Sequence, residues 1–540
     1  MAVGAPLTQK PKGLPARETA VVFVHGMGSQ RRHEDSAKLA ERLDEFTQSS
    51  GMGLLRGLKP EIEPSEFIPA GYATALRGRF LDGGQFGDPE DEKRATRDGR
   101  TFKFYEAYWA PITADEVPKW TVVRWMFSRV PKPIIATRAP WRHRSRFRRS
   151  LLLETDEIDG DVRSRLYELY DEFEGHPSRR KYPDGNFEEF KHFLETSEPT
   201  RANEFLAAAE RWKWKCRRTE LQTQCVLLTL ALAMLLGVTL ILLGLVLAIQ
   251  GTAGGGWGFP SLREAATFGW DHKGAVLAAV GGMMVVLPLA AFLQGYLGDV
   301  LTWTTYEETN ARYRQRNQIL EATRDVLKHV LAEEKNERVV VVAHSLGTAI
   351  AVDTIHHLAN LATAYPSSPE LRVRKVTHLV TYGSPIDKIQ YLFEPTNGQH
   401  HRYNRVVEQL RGDIGTAPFA SKGRQYVHWV NLWNQADIIS GRLQSPCNRA
   451  TPGLRVDNVA IRGSKSPMPG AAHTGYLRHS EVVQVLATVI FRRKSGQREG
   501  HLTFGPGNSR AWVKVLQVTV AFAIWGAAFL AGALVWKWGV

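Results

Sequence analysis

The chain has 540 residues, 43% hydrophobic and 23% charged, a balance that excludes wholesale disorder and leaves room for two or three domains. Sixty-nine Lys and Arg against fifty-five Asp and Glu give a net charge of +14, which favours acidic partners such as phosphate backbones or anionic lipid headgroups. Three scattered cysteines, Cys216, Cys225 and Cys447, exclude a disulfide framework and a four-cysteine metal site, and fit a reducing compartment.

Residues 1–16 read as a flexible N-terminal tail without the long apolar stretch of a secretory signal, so the first domain is expected to stay on the side where it is made. Within 17–115, the β-branched run Thr19 to His25 predicts a strand that ends in the loop His25-Gly26-Met27-Gly28. Ser36 to Phe46 has helical spacing, and Thr101 to Trp109 alternates as a second strand that Pro111 ends. Residues 116–222 turn mostly helical, as in SRLYELYDEF, and read as an insertion. Two stretches in it bear on partners. Lys119 to Phe127 is amphiphilic and suits a bilayer interface or an ordinary surface helix equally. Arg138, Arg142, Arg144, Arg146, Arg148 and Arg149, interleaved with Trp141 and Phe147, suit anionic headgroups or nucleic acid, or form an idle solvated segment.

Mean hydropathy is −0.26, yet the apolar residues are segregated. Cys225 to Ile249 carries no charge over 25 residues, more than the roughly 20 that cross a bilayer core. Ala275 to Leu293 and Val515 to Val535 are uncharged over 19 and 21 residues, so three spans are expected: a hairpin within 223–298 and a last helix within 496–540. Lipid is therefore the favoured partner and nucleic acid is not expected. Arg211, Lys213, Lys215, Arg217 and Arg218 precede the first span, Arg312, Arg314 and Arg316 follow the second, and Arg492, Arg493, Lys494 and Arg498 precede the third. The positive-inside rule then puts the Gln250 to Lys273 loop outside and the soluble parts together on the cytoplasmic side. Without an intramembrane charge, the spans offer little for a transporter or channel.

In 299–495 a long helix, marked by Tyr313, Leu320, Thr323, Leu327, Val330 and Leu331, leads to Arg338 to Ala343, the pattern of a central parallel strand. The turn Ala343-His344-Ser345-Leu346-Gly347 and the helical stretch TAIAVDTIHHLANLA follow at once. Strand, sharp turn, helix is the geometry of a nucleophile elbow, where small neighbours let strand and helix approach behind a projecting serine. Lys375 to Thr381 and Gln425 to Trp433 predict further strands, ending near Asp387 and Asp437 respectively. His473 lies in a Pro- and Gly-containing loop before the apolar helix Glu481 to Phe491, and His479 abuts its expected N-cap, Ser480.

Together, the His-Gly-Met-Gly loop, the Ala-His-Ser-Leu-Gly elbow and His473-Thr474-Gly475-Tyr476, an H-[ST]-x-Y pattern, resemble the serine lipases and esterases of the α/β-hydrolase fold. The resemblance covers 17–115 and 300–495, with the insertion outside the family pattern and Ala343 in place of the usual glycine. It implies a mostly parallel sheet split by the insertion, and a triad in the chain order serine, acid, histidine. Ser345 is then the nucleophile, His473 the base and Asp437 the acid, with Asp387 and His479 as rivals. The amides of Met27 and Leu346 would form the oxyanion hole. Such chemistry runs through an acyl-enzyme on an ester or thioester, lipid-like here, and needs no metal or cofactor. An acyltransferase or peptidase would use the same triad, and an inactive hydrolase-fold membrane module would keep only the fold.

Overall fold

The computed structural model describes residues 18–26, 31–48, 58–80, 100–113, 152, 158–175, 187–218, 299–305, 309–389, 419–421, 424–434, 437, 439–443, 456–461 and 469–491. Within them lie ten strands, β1 (Glu18–Val24), β2 (Lys59–Pro64), β3 (Tyr72–Phe80), β4 (Arg100–Ala107), β5 (Asn336–His344), β6 (Val376–Tyr382), β7 (Ala420–Ser421), β8 (Arg424–Gln425), β9 (His428–Asn434) and β10 (Asp457–Ile461). The longer helices are α1 (Glu34–Gln48), α2 (Gly160–Gly175), α3 (Phe187–Ser197), α4 (Ala311–Ala332), α5 (Gly347–Ala364), α6 (Pro469–Thr474) and α7 (Ser480–Phe491).

Val339 to Ala343 are all fully buried, and a strand apolar on both sides needs cover on both faces. It receives that cover in an eight-stranded sheet of order β10-β9-β6-β5-β1-β4-β3-β2. From β10 to β4 every neighbouring pair is parallel, while β2 and β3 close the far edge as antiparallel strands. Alternation along β1 divides the core. Ala20, Val22 and Val24 face α4 and α5, whereas Val21 and Phe23 face α1 and α7. Burying an apolar side chain on either face stabilises the fold by roughly 1.5–3 kcal/mol.

The β2–β3 edge and β10 were not predicted. Lys59–Pro64 reads KPEIEP, yet its polarity is matched from β4 and from helix α4. Lys103 of β4 pairs with Glu18 at 3.0 Å and Glu63 at 2.5 Å, and the second Glu63 oxygen meets Tyr105 at 2.8 Å and His329 at 2.9 Å. Burial pushes the Glu63 carboxyl up, but His329, Lys103 and Tyr105 outweigh it and hold the group down at about 2.

Helices α2 and α3 and the helical stretch 202–218 form a separate core around Leu166, Tyr170, Phe190, Leu194 and Trp212. This is the described part of the region expected to be a helical insertion. Among the described residues no helix is long and apolar enough to cross a membrane. The three apolar runs, 225–249, 275–293 and 515–535, lie outside the described residues, as do Lys119 to Phe127 and the arginine-rich stretch 138–149.

Candidate active site

The connections after β1 and β5, adjacent strands near the middle of the sheet, lead to helices on opposite faces: α1 packs on one and α5 on the other. Such a divergence opens a crevice at the carboxyl ends of the strands, where ligands bind in open α/β sheets. Ser345 sits there, one residue past β5, with φ of 53°. A left-handed backbone is costly for a residue with a Cβ and marks stored strain. The turn is held by the Ser345 amide, which donates to the Tyr382 carbonyl at 3.1 Å, and by Thr348, whose hydroxyl donates to the Ser345 carbonyl at 2.7 Å.

Close approach explains the glycines on either side. A Cβ on Gly347 would lie 2.3 Å from the His25 carbonyl oxygen, and one on Gly26 would lie 2.8 Å from the Ser345 Cβ. The start of α5 thus rests on the end of β1, which brings the His25-Gly26 turn beside the serine although some 320 residues separate them in the chain.

The rest of the site arrives from the other side of β5. His473, in the last turn of α6 rather than in a loop, places Nε2 2.8 Å from Ser345 Oγ. Its Nδ1 lies 2.9 Å from Asp437 Oδ2, beyond the end of β9. Asp437 Oδ1 accepts the amides of Ile439 at 2.8 Å and Ser440 at 3.2 Å. Burial pushes the Asp437 carboxyl up, but the hydrogen bond and charge of His473, with the Ser440 and Ile439 donors, hold it well below the usual carboxylate range. The carboxylate stays ionised and fixes the imidazole with Nε2 free to accept the serine proton.

Of the two rivals, Asp387 lies in the short turn after β6, and His479 immediately precedes α7, its carbonyl accepting from Val482 and Val483. The hydrogen-bonded chain joins Ser345, His473 and Asp437. Comparison with models of protein families, with curated proteins and with solved structures found no match. Geometry and sequence therefore carry the reading.

Three further side chains complete the site. Tyr476 donates its hydroxyl to Asp437 Oδ2 at 2.9 Å, accepts the Asn434 amide at 3.0 Å and lies 2.7 Å from Ser440 Oγ. Its role was not foreseen, although it is the tyrosine of the H-[ST]-x-Y pattern and the pattern could have signalled it. His344 stacks on Tyr382 at 4.8 Å and donates from Nε2 to the His473 carbonyl at 3.1 Å. Burial, and then the proximity of His473, depress its pKa to about 3, so it acts as a neutral strut. His25 stacks on Trp109 and accepts the Trp109 amide at 3.0 Å, and burial lowers its pKa to about 4.

Leu346, one of the two expected oxyanion donors, stands at the N-cap of α5, and among the described residues nothing accepts from its amide. Met27, the other, lies outside the described residues. The triad is enclosed: Ser345 is 1% exposed, Asp437 3% and His473 0%. A cavity of about 410 Å³ opens elsewhere, between α4 and α5, lined by Arg316, Arg324, Asp353 and His356 among others.

Proposed function

We propose that the chain is a membrane-anchored serine hydrolase of the α/β-hydrolase fold, cleaving carboxylic ester or thioester bonds of lipid-like substrates. The observation that carries this reading is the continuous chain Ser345–His473–Asp437, at 2.8 and 2.9 Å, hung on a strained turn at the carboxyl edge of a parallel sheet. Ser345 Oγ attacks the acyl carbonyl while His473 takes its proton. The tetrahedral oxyanion is met by the Leu346 amide at the start of α5, with Met27 as the second donor that the resemblance implies. Collapse breaks the bond to the leaving group, which departs with the proton from His473 and leaves an acyl-enzyme. Water then repeats the sequence and releases the acid.

The membrane half of the proposal rests on the three uncharged runs, 225–249, 275–293 and 515–535. A catalytic unit tethered by them meets lipid esters in a locally concentrated two-dimensional phase. Each methylene buried from an acyl chain is worth about 0.8 kcal/mol, so a site suited to long chains favours them steeply.

Labelling with a fluorophosphonate tests the nucleophile: wild type should react, and Ser345→Ala should not while inserting and expressing normally. Turnover of p-nitrophenyl esters of rising chain length, in detergent and in anionic liposomes, tests the substrate class. Fastest turnover of acetate or butyrate with no gain on liposomes would defeat the lipid reading. One observation favours an inactive hydrolase-fold module instead, the 1% exposure of Ser345. On that reading wild type fails to label even when bilayers or detergent are supplied to open the site.

A further inference from the structure

The helical stretch 202–218 buries Phe205, Ala208, Ala209, Trp212 and Cys216 in the core it shares with α2 and α3. Its opposite face presents Ala207, Arg211, Trp214 and Arg218, with Arg217 beside them, all exposed. Trp214 is 70% exposed, which leaves nearly a whole indole in water. Charge is divided along the helix as well. Glu204 and Glu210 fall before Arg211, whereas residues 211–218 hold Arg211, Lys213, Lys215, Arg217 and Arg218 and no acid. Lys213 is engaged by Glu188 at 2.8 Å.

A solvated helix face accounts for the charges but not for the tryptophan among them. A large aromatic ring flanked by arginines is instead the composition of a membrane–water interface, where the indole sits at headgroup level and guanidinium groups meet lipid phosphates. The position in the chain agrees. Only residues 219–224 separate Arg218 from the uncharged run that begins at Cys225. At no more than about 3.6 Å per residue, that connection keeps Arg218 within about 25 Å of the run.

We propose that the face formed by Arg211, Trp214, Arg217 and Arg218 is a docking surface for an anionic bilayer, seating the helical insertion against the membrane that the adjoining apolar run enters. The inference rests on the membrane-anchored part of the proposed function, and adds to it a surface contact that selects lipid charge. Lys119 to Phe127 and the arginine-rich 138–149 play no part in it.

The test uses the full chain and the Trp214→Phe variant, reconstituted in phosphatidylcholine vesicles with or without phosphatidylglycerol, the acyl chains brominated near the headgroup. The difference in emission between the two proteins isolates Trp214. That difference should be quenched at least about twofold more with phosphatidylglycerol than without it. The combined Arg211→Gln, Arg217→Gln and Arg218→Gln variant should lose the extra quenching while its circular dichroism is unchanged. Trp214 emission that is unquenched, or quenched equally in both vesicles, overturns the proposal, as does lipid selectivity that survives removal of the arginines. Alkaline carbonate extraction separates the two layers of inference. A chain that resists extraction with Trp214 unquenched loses only the docking surface, whereas a chain stripped from the vesicles loses the membrane anchor and the docking surface together.

Discussion

Tyr476 and His473 share one oxygen of Asp437, so the tyrosine hydroxyl withdraws charge from the carboxylate that steadies the imidazolium. Tyr476→Phe removes that donor and strips the Asn434 amide and Ser440 hydroxyl of a partner. We expect kcat/KM to fall about tenfold, far less than the roughly 10⁴ expected of Asp437→Asn. The acidic limb of the pH–rate profile should move to higher pH, because the less solvated carboxylate favours the protonated imidazole. A loss of thermal stability with an unmoved profile would reduce Tyr476 to a packing role. Glu106 makes the complementary case for stability. Its carboxylate is buried where β4 meets the start of α1, accepting the His33 amide. Burial raises its pKa from 4.5 to about 7, with Asp35 and Glu34 adding to the shift and the His33 amide and Arg32 opposing it. The folded chain then binds a proton that the unfolded chain releases, so this contribution to stability is complete below about pH 4.5 and disappears as pH rises through 7. In thermal unfolding, Glu106→Gln should therefore gain on wild type at pH 8 relative to pH 5. Parallel losses in both proteins would show that Glu106 is ionised in the fold.

Between elements, the contact that matters most is the seating of α5 on the end of β1. Gly347→Ala would drive a methyl into the carbonyls of Val24 and His25, 2.4 and 2.3 Å away. The backbone must shift, at a cost of roughly 1–3 kcal/mol, and fluorophosphonate labelling should slow with it because Ser345 lies at the same junction. Unchanged melting and labelling would mean that α5 can tilt freely. The elements at this junction were readable from sequence because burial on both faces leaves a continuous apolar run, as in Val339 to Val342, and because the turn chemistry of His344-Ser345-Leu346-Gly347 has few uses. The sheet edge was not readable. In Lys59–Pro64 the prolines sit at an edge that tolerates a missing donor, and Glu63 is matched by Lys103, Tyr105 and His329, which lie 40 to 266 residues away in sequence. No local pattern encodes such partners. β10, with five residues of which only Val459 and Ile461 are buried, was missed because so short an alternation resembles a loop. His473 was recognisable by its chain order and motif, but its place in α6 was hidden by Pro469 and Gly470, which read as loop punctuation and in fact open a helical turn.

On the scale of the whole molecule, both faces of the sheet draw their cores from residues before and after the insertion, so the sheet domain is one body built from two distant pieces of chain. If the uncharged runs span the bilayer as proposed, both pieces must lie on the same side of it. Single cysteines placed in the Gln250 to Lys273 loop or at Val540 should then react with an impermeant reagent added to intact cells, and cysteines near Ser29 or Gln497 should not. Reversed accessibility would move the active site to the opposite compartment. Synthesis of such a chain has an order imposed on it. β1 pairs on one side with β4 and on the other with β5. At about 5–20 residues per second, the roughly 230 residues between those two partners take about 10–50 s to emerge, and they include the helical insertion and the first two apolar runs. Throughout that interval the early sheet offers Thr19 to Val24 as an unpaired apolar edge, the kind of template on which other chains aggregate. On the proposed topology, the newborn protein depends on prompt delivery of its middle to the bilayer, and a defect there would be felt first as aggregation of a domain whose own sequence is intact.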